Sequence, residues 1–180
     1  MSGELSPLAQ LREDWVAHGR DWRRPGLRAI TVARLGRFQR DSPSAVVRLC
    51  VRHLDRILER RMRRRYGIEL PWTVTLGRRV VIEHQGAIVV HGFAEIGDDC
   101  ILRHGVTLGN RRLEAPLEAP RLGARVSVGA GAQILGAVSV GDDVRVGANA
   151  VVLDDVPSGA TAVGVPAVVV DGRKPRPAAP

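Results

Sequence analysis

The chain has 180 residues, enough for one domain with a hydrophobic core and a smaller appendage. Its net charge of +8 suits an anionic partner, which would be a phosphate-rich ligand, nucleic acid or a membrane surface. The chain has two cysteines, neither in a Cys-x-x-Cys unit, which excludes a disulfide framework and a zinc ribbon. It has no apolar signal core and no membrane-spanning run, so we expect a cytoplasmic protein.

Residues 4–18 and 27–65 are predicted to be helical because their apolar residues recur at three-to-four spacing. A Pro-Gly pair and an Asp-Ser-Pro segment interrupt the pattern, so we expect two or three helices within an N-terminal segment, residues 1–66. The arginines of Arg60–Arg65 are interpreted as a solvated helix end, with contact to nucleic acid or membrane as the alternative.

Beyond this segment the period changes, and aliphatic residues recur every six positions. The frame shifts by two residues between Ile88 and Ile96, and a longer interruption follows at residues 110–121. A six-residue repeat with one inward apolar side chain predicts one side of a triangular coil, so that three repeats form one turn of a parallel β-helix. The frame consists of Leu70, Leu76, Ile82, Ile88, Ile96, Leu102, Leu108, Leu122, Val128, Ile134, Val140, Val146 and Val152.

We therefore predict a mainly β protein in which residues 67–170 form the β-helix domain. Residues 110–121 are polar, contain two prolines and should project from the coil; a loop of this length on a compact solenoid is typical of a functional segment. Residues 171–180 are rich in proline and charge, and we expect them to form a disordered tail.

Two histidines, His84 and His104, are 20 residues apart and occupy the third positions of their repeats. One turn plus the two-residue shift places them on the same outward face of adjacent coils. Histidine suits general-base catalysis because its pKa lies near neutrality, and a carboxylate on the second ring nitrogen would fix its tautomer. Glu69 and Glu83 are the candidates for that carboxylate, although all four groups would also suit a merely solvated face.

Four segments of the chain resemble the hexapeptide-repeat acyltransferases, and within them the serine O-acetyltransferases. The segments are IEHQGAIVVHG, ILRHGVTLGN, VGAGAQILGAVSVG and GANAVVLDDVPSGATAVGVPA. The resemblance covers about residues 26–170 and includes the two-residue shift. It implies a left-handed parallel β-helix that transfers an acetyl group from acetyl-CoA to a hydroxyl, in homotrimers that often pair through their N-terminal helices.

The resemblance also implies roles for individual residues. His84 matches the family's catalytic histidine, Glu69 its paired carboxylate and Glu83 an acidic position that contacts the acceptor. His104 is a further candidate for contact with the acceptor or CoA. The expected CoA-binding positions, in a groove between two subunits, are Asn110, Ala130, Arg145 and Ala148. No metal is expected.

The chain departs from the serine enzymes in three places. They carry an Arg-His pair just before a proline of the loop, where this chain has Glu118 and Ala119, which should weaken binding of free serine. Their Arg-Asp-Pro stretch in the helical leader is missing, with Asp14 and Asp21 as candidate substitutes. The sequence ends in Pro180 instead of the isoleucine that docks into cysteine synthase, so we expect no such complex.

Three other interpretations stay open. An O-acetyltransferase acting on a sugar, carrier-bound or natural-product hydroxyl would keep His84 and CoA but change the acceptor. A metal enzyme resembling the γ-class carbonic anhydrases would use His84, His91 and His104 as ligands, but the CoA-type segments would be unexplained. A basic adaptor would bind nucleic acid or membrane through Arg60–Arg65. With only one Tyr and two Phe, the chain has no aromatic platform for base stacking, so we expect no nucleic-acid partner.

Overall fold

The computed structural model describes residues 6–40 and 43–170, so the expectation of a disordered tail lies outside the described residues. The chain begins with three helices, α1 (Pro7–Ala17), α2 (Pro25–Arg40) and α3 (Ala45–Tyr66). The Ser6 and Ser44 side chains cap α1 and α3 by accepting hydrogen bonds from backbone N–H groups three residues on. Gly67, in the left-handed conformation with φ of 62°, ends α3.

Short strands follow α3 and continue to residue 170. They are β1 (Ile68–Glu69), β2 (Thr75–Leu76), β3 (Val81–Glu83), β4 (Ile88–Val90), β5 (Glu95–Ile96), β6 (Ile101–Arg103), β7 (Thr107–Gly109), β8 (Arg121–Leu122), β9 (Ser127–Val128), β10 (Gln133–Leu135), β11 (Ser139–Val140), β12 (Arg145–Val146), β13 (Val151–Val152), β14 (Thr161–Val163) and β15 (Val168–Val170).

The strands form three sheets, one for each side of a triangular coil. Their strand orders are β1-β4-β7-β10-β13 for sheet A, β2-β5-β8-β11 for sheet B and β3-β6-β9-β12-β14-β15 for sheet C. Strands of successive coils pair in parallel, and β15 closes sheet C by pairing antiparallel with β14. The predicted mainly β fold, a parallel β-helix with N-terminal helices, is confirmed.

The register corrects one detail of the sequence prediction. Ile82 pairs with Leu102, but Leu108 pairs with Val90 and not with Ile88. The two-residue shift therefore lies between Ile82 and Val90, earlier than predicted from the aliphatic frame. Because β4 buries both Ile88 and Val90, hydrophobicity alone could not show which of them continues the frame. The shift consequently falls on the corner that begins at His84.

The frame side chains fill the interior of the coil. All of them are buried except Leu76, which is partly exposed. Small residues such as Ala132 and Ala150 fill the remaining interior positions, as the narrow triangular section requires. The predicted loop projects between β7 and β8 as residues 110–120, and Arg121, its expected last residue, belongs to β8 instead.

The helices cover the open lower edge of the first coil. The Arg34 guanidinium donates to the Gly77 carbonyl at 2.7 Å, and Nε2 of His18 accepts from the Ile82 N–H at 3.4 Å. Glu59 of α3 accepts from the Trp72 N–H at 3.2 Å. An uncovered strand edge would leave such groups unpaired, so the helical segment both satisfies the backbone and blocks edge-to-edge association.

Candidate active site

His84 stands at the corner where the two additional residues are accommodated. It follows β3 directly, with φ of 67°, and the same corner holds Gly86 at 108° and Ala87 at 51°. Positive φ is unfavourable for residues other than glycine, so His84 and Ala87 sit in a strained turn held by the strands on either side. The turn directs an exposed histidine away from the packed interior.

His84 and His104 lie one above the other on adjacent coils, as their spacing predicts. Glu83 and Arg103, the residues just before them, are in register, and the two imidazole centroids are 5.7 Å apart at an interplanar angle of 77°. Both histidines are exposed. The pair offers two proton-accepting rings to any molecule that approaches this corner.

The corner continues upward through small residues. His104 lies below Ala130, because the next residue, Gly131, donates its N–H to the His104 carbonyl. Ala130 in turn lies below Ala148, since Asn149 donates to the Ala130 carbonyl. At this corner, four successive coils thus carry two imidazoles and then two methyl groups. We call this set of residues the corner column: His84, His104, Ala130 and Ala148.

Glu83 is already paired in this structure. Its carboxylate lies 3.1 Å from the Arg103 guanidinium, with each side chain a little over one-third exposed. Arg103 also donates to the Ser127 hydroxyl at 3.3 Å, which extends the polar ladder to a third coil. Sequence reasoning missed Arg103, although its place one residue before a candidate histidine was a signal for it.

Glu69 does not meet His84 here. It lies on β1, in register with Val89, and its carboxylate faces the Arg63 guanidinium at 3.9 Å. Within the described part of the chain, no hydrogen bond joins Glu69 to His84. The carboxylate is about half exposed and is therefore free to adopt another rotamer.

The remaining predicted positions divide into two groups. Arg145 is exposed and lies three residues before Ala148, on the strand that leads to the corner column. Asn110 follows β7, at the opposite end of that strand from His104, and its amide donates to the Arg112 carbonyl at 2.8 Å. Within one chain the structure therefore groups Arg145 with the corner column but not Asn110.

The projecting loop neutralises its own charge. Glu118 forms an ion pair with Arg112 at 2.7 Å, and Ala119 is buried. Of the two candidate substitutes in the helical leader, Asp14 is fully buried and bound by Arg34 through both carboxylate oxygens. Asp21 is exposed and accepts from the Arg23 N–H at 2.8 Å, and among the described residues no hydrogen bond or ion pair joins either aspartate to the corner column.

The basic helix end is exposed, and it also borders a cavity. Arg60 and Arg63 line a cavity of about 240 Å³ together with Glu69, which the sequence analysis did not predict. The signal that pointed to it was the spacing of Arg56, Arg60 and Arg63, which places all three on one face of a helix.

No metal site forms from the candidate histidines. In the described ranges, no group of three or more His, Cys, Asp and Glu side chains is arranged to hold a metal ion. His91 instead packs against Phe93, with ring centroids 5.7 Å apart. Among the same residues, none of the helices has both the length and the apolar character needed to cross a bilayer.

Comparison with known proteins identifies the repeat. Residues 119–154 match the family model described as bacterial transferase hexapeptide (six repeats). A serine acetyltransferase of Mycobacterium tuberculosis is 36% identical over 156 residues, which is 87% of this chain and 65% of that protein. A putative colanic acid biosynthesis acetyltransferase of Escherichia coli is 43% identical over 75 residues, 42% of this chain and 46% of that protein. The chain thus spans slightly less than two-thirds of the Mycobacterium relative's length.

Solved structures show the same architecture over most of the chain. Soybean serine acetyltransferase superposes with a TM-score of 0.78 at 28% identity, covering 92% of this chain and 69% of that one. Serine acetyltransferase from Brucella abortus in complex with coenzyme A gives a TM-score of 0.77 at 27% identity, covering 91% and 67%. The resemblance predicted from the sequence is confirmed: the chain carries bacterial transferase hexapeptide repeats on the fold of the serine acetyltransferases.

Proposed function

We propose that the protein is an acetyl-CoA-dependent O-acetyltransferase that transfers an acetyl group to a hydroxyl, as a serine acetyltransferase does. The corner column carries this proposal, because it sets an exposed pair of imidazoles at the foot of a strip of small residues. Coils are spaced about 4.8 Å apart, so the strip from His84 to Ala148 spans about 14 Å, a length suited to an extended thioester arm.

His84 acts as the general base in this proposal. Its imidazole takes the proton from the acceptor hydroxyl as the hydroxyl oxygen attacks the thioester carbonyl carbon. The resulting tetrahedral intermediate collapses by breaking the carbon–sulfur bond, and the proton passes from His84 to the departing CoA sulfur. The products are the acetyl ester and free CoA thiol, so every atom and proton is accounted for.

The neighbouring carboxylates assist in different ways. Glu69 leaves Arg63 on substrate binding and accepts a hydrogen bond from the second ring nitrogen of His84, which fixes the tautomer and stabilises the imidazolium. Glu83 and His104 contact the acceptor. The loose 3.9 Å contact between Glu69 and Arg63 supports this movement, because an exposed pair at that distance contributes little to stability.

CoA binds along the corner column in a groove between two subunits. The small side chains of Ala130 and Ala148 leave room for the arm, Arg145 pairs with phosphate, and Asn110 comes from a neighbouring subunit of a homotrimer. The assembly in the cytoplasm is this homotrimer or a pair of such trimers joined through their helices. The coenzyme A complex of the Brucella enzyme, which shares this fold, supports CoA as the co-substrate. Light scattering of the purified protein tests the trimer.

The test is release of free thiol from acetyl-CoA. The protein is incubated with acetyl-CoA and L-serine, and then with a panel of sugars and hydroxylated amino acids, beside the variant His84→Ala. Thiol release with an acceptor in the wild type, lost in the variant, supports the proposal. No release with any acceptor, together with no CoA binding by calorimetry, would overturn it.

A second acceptor class has support from specific observations. In the loop, Glu118 is paired with Arg112 and Ala119 is buried, so neither residue offers a cation to the carboxylate of a free amino acid. The Escherichia coli relative is named for colanic acid biosynthesis. A hydroxyl on a sugar, a carrier-bound group or a natural product is therefore the alternative acceptor, and thiol release with sugars but not with L-serine would select it.

A further inference from the structure

A cavity of about 240 Å³ lies between α2, α3 and the first strand of the coil. This is below the range of about 300–1,000 Å³ typical of sites for drug-sized ligands, which suits a small hydroxylated molecule and not a polymer. The lining residues are Ala29, Val32, Arg56, Glu59, Arg60, Met62, Arg63, Ile68, Glu69, Leu70 and Pro71. An apolar floor with convergent charged groups at its mouth is the usual form of a small-molecule site.

The charges around this cavity favour an anion. Arg56 and Arg60 form no ion pair or hydrogen bond with any residue that the structure describes, whereas Arg63 only loosely faces Glu69. Glu59 accepts a hydrogen bond from the Trp72 N–H at 3.2 Å, and the three arginines of the lining outnumber its two carboxylates, Glu59 and Glu69. Two unpaired guanidinium groups beside an apolar floor are suited to bidentate recognition of an oxyanion.

The position of the cavity connects it to the proposed chemistry. Glu69 lines its wall, and Glu69 is the carboxylate assigned above to His84. His84 itself does not line the cavity, so a molecule held by Arg56 and Arg60 would lie against Glu69 and extend beyond the cavity to present its hydroxyl to His84. Neither Glu118 nor the buried Ala119 offers a positive charge to the acceptor, and α3 is an alternative source of it.

We infer that this cavity is a subsite for the acceptor, and that it selects small hydroxylated molecules bearing a carboxylate or phosphate group. Arg56 and Arg60 bind the oxyanion, and Arg63 loses its contact with Glu69 when the acceptor enters. The inference rests on the proposed acetyltransferase function. It assigns acceptor specificity to helix α3, which the sequence analysis treated as a solvated surface.

The test compares matched acceptors in matched variants. The cavity variant is Arg56→Gln/Arg60→Gln, and the control is Arg61→Gln/Arg64→Gln, which removes the same charge from exposed positions of α3 that do not line the cavity. The acceptor pairs are L-serine with L-serinamide, gluconate with glucose, and glycerol 3-phosphate with glycerol. Thermal unfolding of both variants establishes that they are folded.

The expected result is a preference of the wild type for the anionic member of at least one pair. The KM for that acceptor rises about tenfold to a hundredfold in the cavity variant and changes less than about twofold in the control, as expected for loss of a charge-assisted contact. The pair that responds distinguishes a carboxylate from a phosphate. Equal use of both members of every pair, or equal effects of the two double variants, would overturn the inference while leaving the proposed function intact.

A binding measurement separates the two possible failures. If the wild type releases no thiol with any acceptor, the proposed function fails, and calorimetry with L-serine, gluconate and glycerol 3-phosphate still tests the cavity. Binding that is lost in the cavity variant and kept in the control supports an anion subsite. Absence of binding for all three compounds in the wild type overturns it.

Discussion

The imidazoles of His84 and His104 meet edge to face on adjacent coils, with centroids 5.7 Å apart, yet their backbones differ. His84 occupies a left-handed corner with φ of 67°, while the corner above it reaches the left-handed region at Gly105. The two-residue shift therefore affects one histidine of the pair and not the other. The two rings therefore stand on corners of different backbone conformation.

Replacement of each histidine by alanine should separate their roles. His84→Ala is expected to lower kcat by about a hundredfold to ten-thousandfold, because it removes the general base. His104→Ala is expected chiefly to raise the KM for the acceptor, because it removes a contact and not the base. Steady-state thiol release measures both constants. A larger loss of kcat in His104→Ala than in His84→Ala would reverse the assignment.

Glu69→Gln tests the proposed partner of His84. The change keeps the shape of the side chain but removes its charge, so we expect kcat to fall about tenfold to a hundredfold with little change in the KM for acetyl-CoA. Glu95→Gln is the matched control, because Glu95 is another half-exposed carboxylate on the coil, paired with Arg121 at 3.3 Å. Equal activities of the two variants would remove Glu69 from the mechanism.

Gly26→Ala tests how closely α2 rests on the coil. A Cβ at this position would overlap the carbonyl oxygen of Ile82, which belongs to the backbone and cannot rotate away. We expect a loss of about 2–3 kcal/mol in the free energy of unfolding, measured by denaturant titration. Gly109→Ala is the control, since a Cβ there would meet its nearest atoms at an ordinary 3.5 Å. Equal stability of the two variants would show that α2 does not rest on β3.

The coil could be predicted from sequence because its interior admits one apolar side chain every six residues, and the aliphatic frame records that requirement. The exact position of the two-residue shift could not be predicted from the sequence. Ile88 and Val90 are both aliphatic and both buried, so either one satisfies the pattern, and only the pairing of Val90 with Leu108 decides between them.

Contacts between the helices and the coil were also beyond sequence reasoning. Asp14 pairs with Arg34 across two helices, and Arg34 reaches the carbonyl of Gly77, 43 residues further along the chain. Polarity in the sequence shows that such groups need partners, but it does not say which partners the tertiary fold will supply. The cavity beside Glu69 escaped prediction for the same reason, because α3 and β1 meet there only after folding.

Asp55→Asn should stabilise the protein at neutral pH. Asp55 is 1% exposed, and its Oδ1 has no hydrogen-bond partner among the residues that the structure describes. Burial, with a smaller effect of Glu59, raises its pKa from 3.8 to about 6. Asp55 thus loses its proton at a lower pH in the unfolded chain than in the folded chain. Because the folded chain binds the proton more tightly, wild-type stability falls as the pH rises from about 4 to 6. Asparagine has no charge to bury, so it avoids this loss of up to about 3 kcal/mol.

The pH dependence distinguishes this cause from a general packing effect. We expect the stability difference, Asp55→Asn minus wild type, to increase between pH 4 and 6 and to stay constant above pH 6, in denaturant titrations across that range. Burial lowers the pKa of His18, which destabilises both proteins as the pH falls and therefore cancels in the difference. A stability difference that is independent of pH would show that Asp55 carries no buried charge, because the titration of Asp55 is what makes this difference depend on pH.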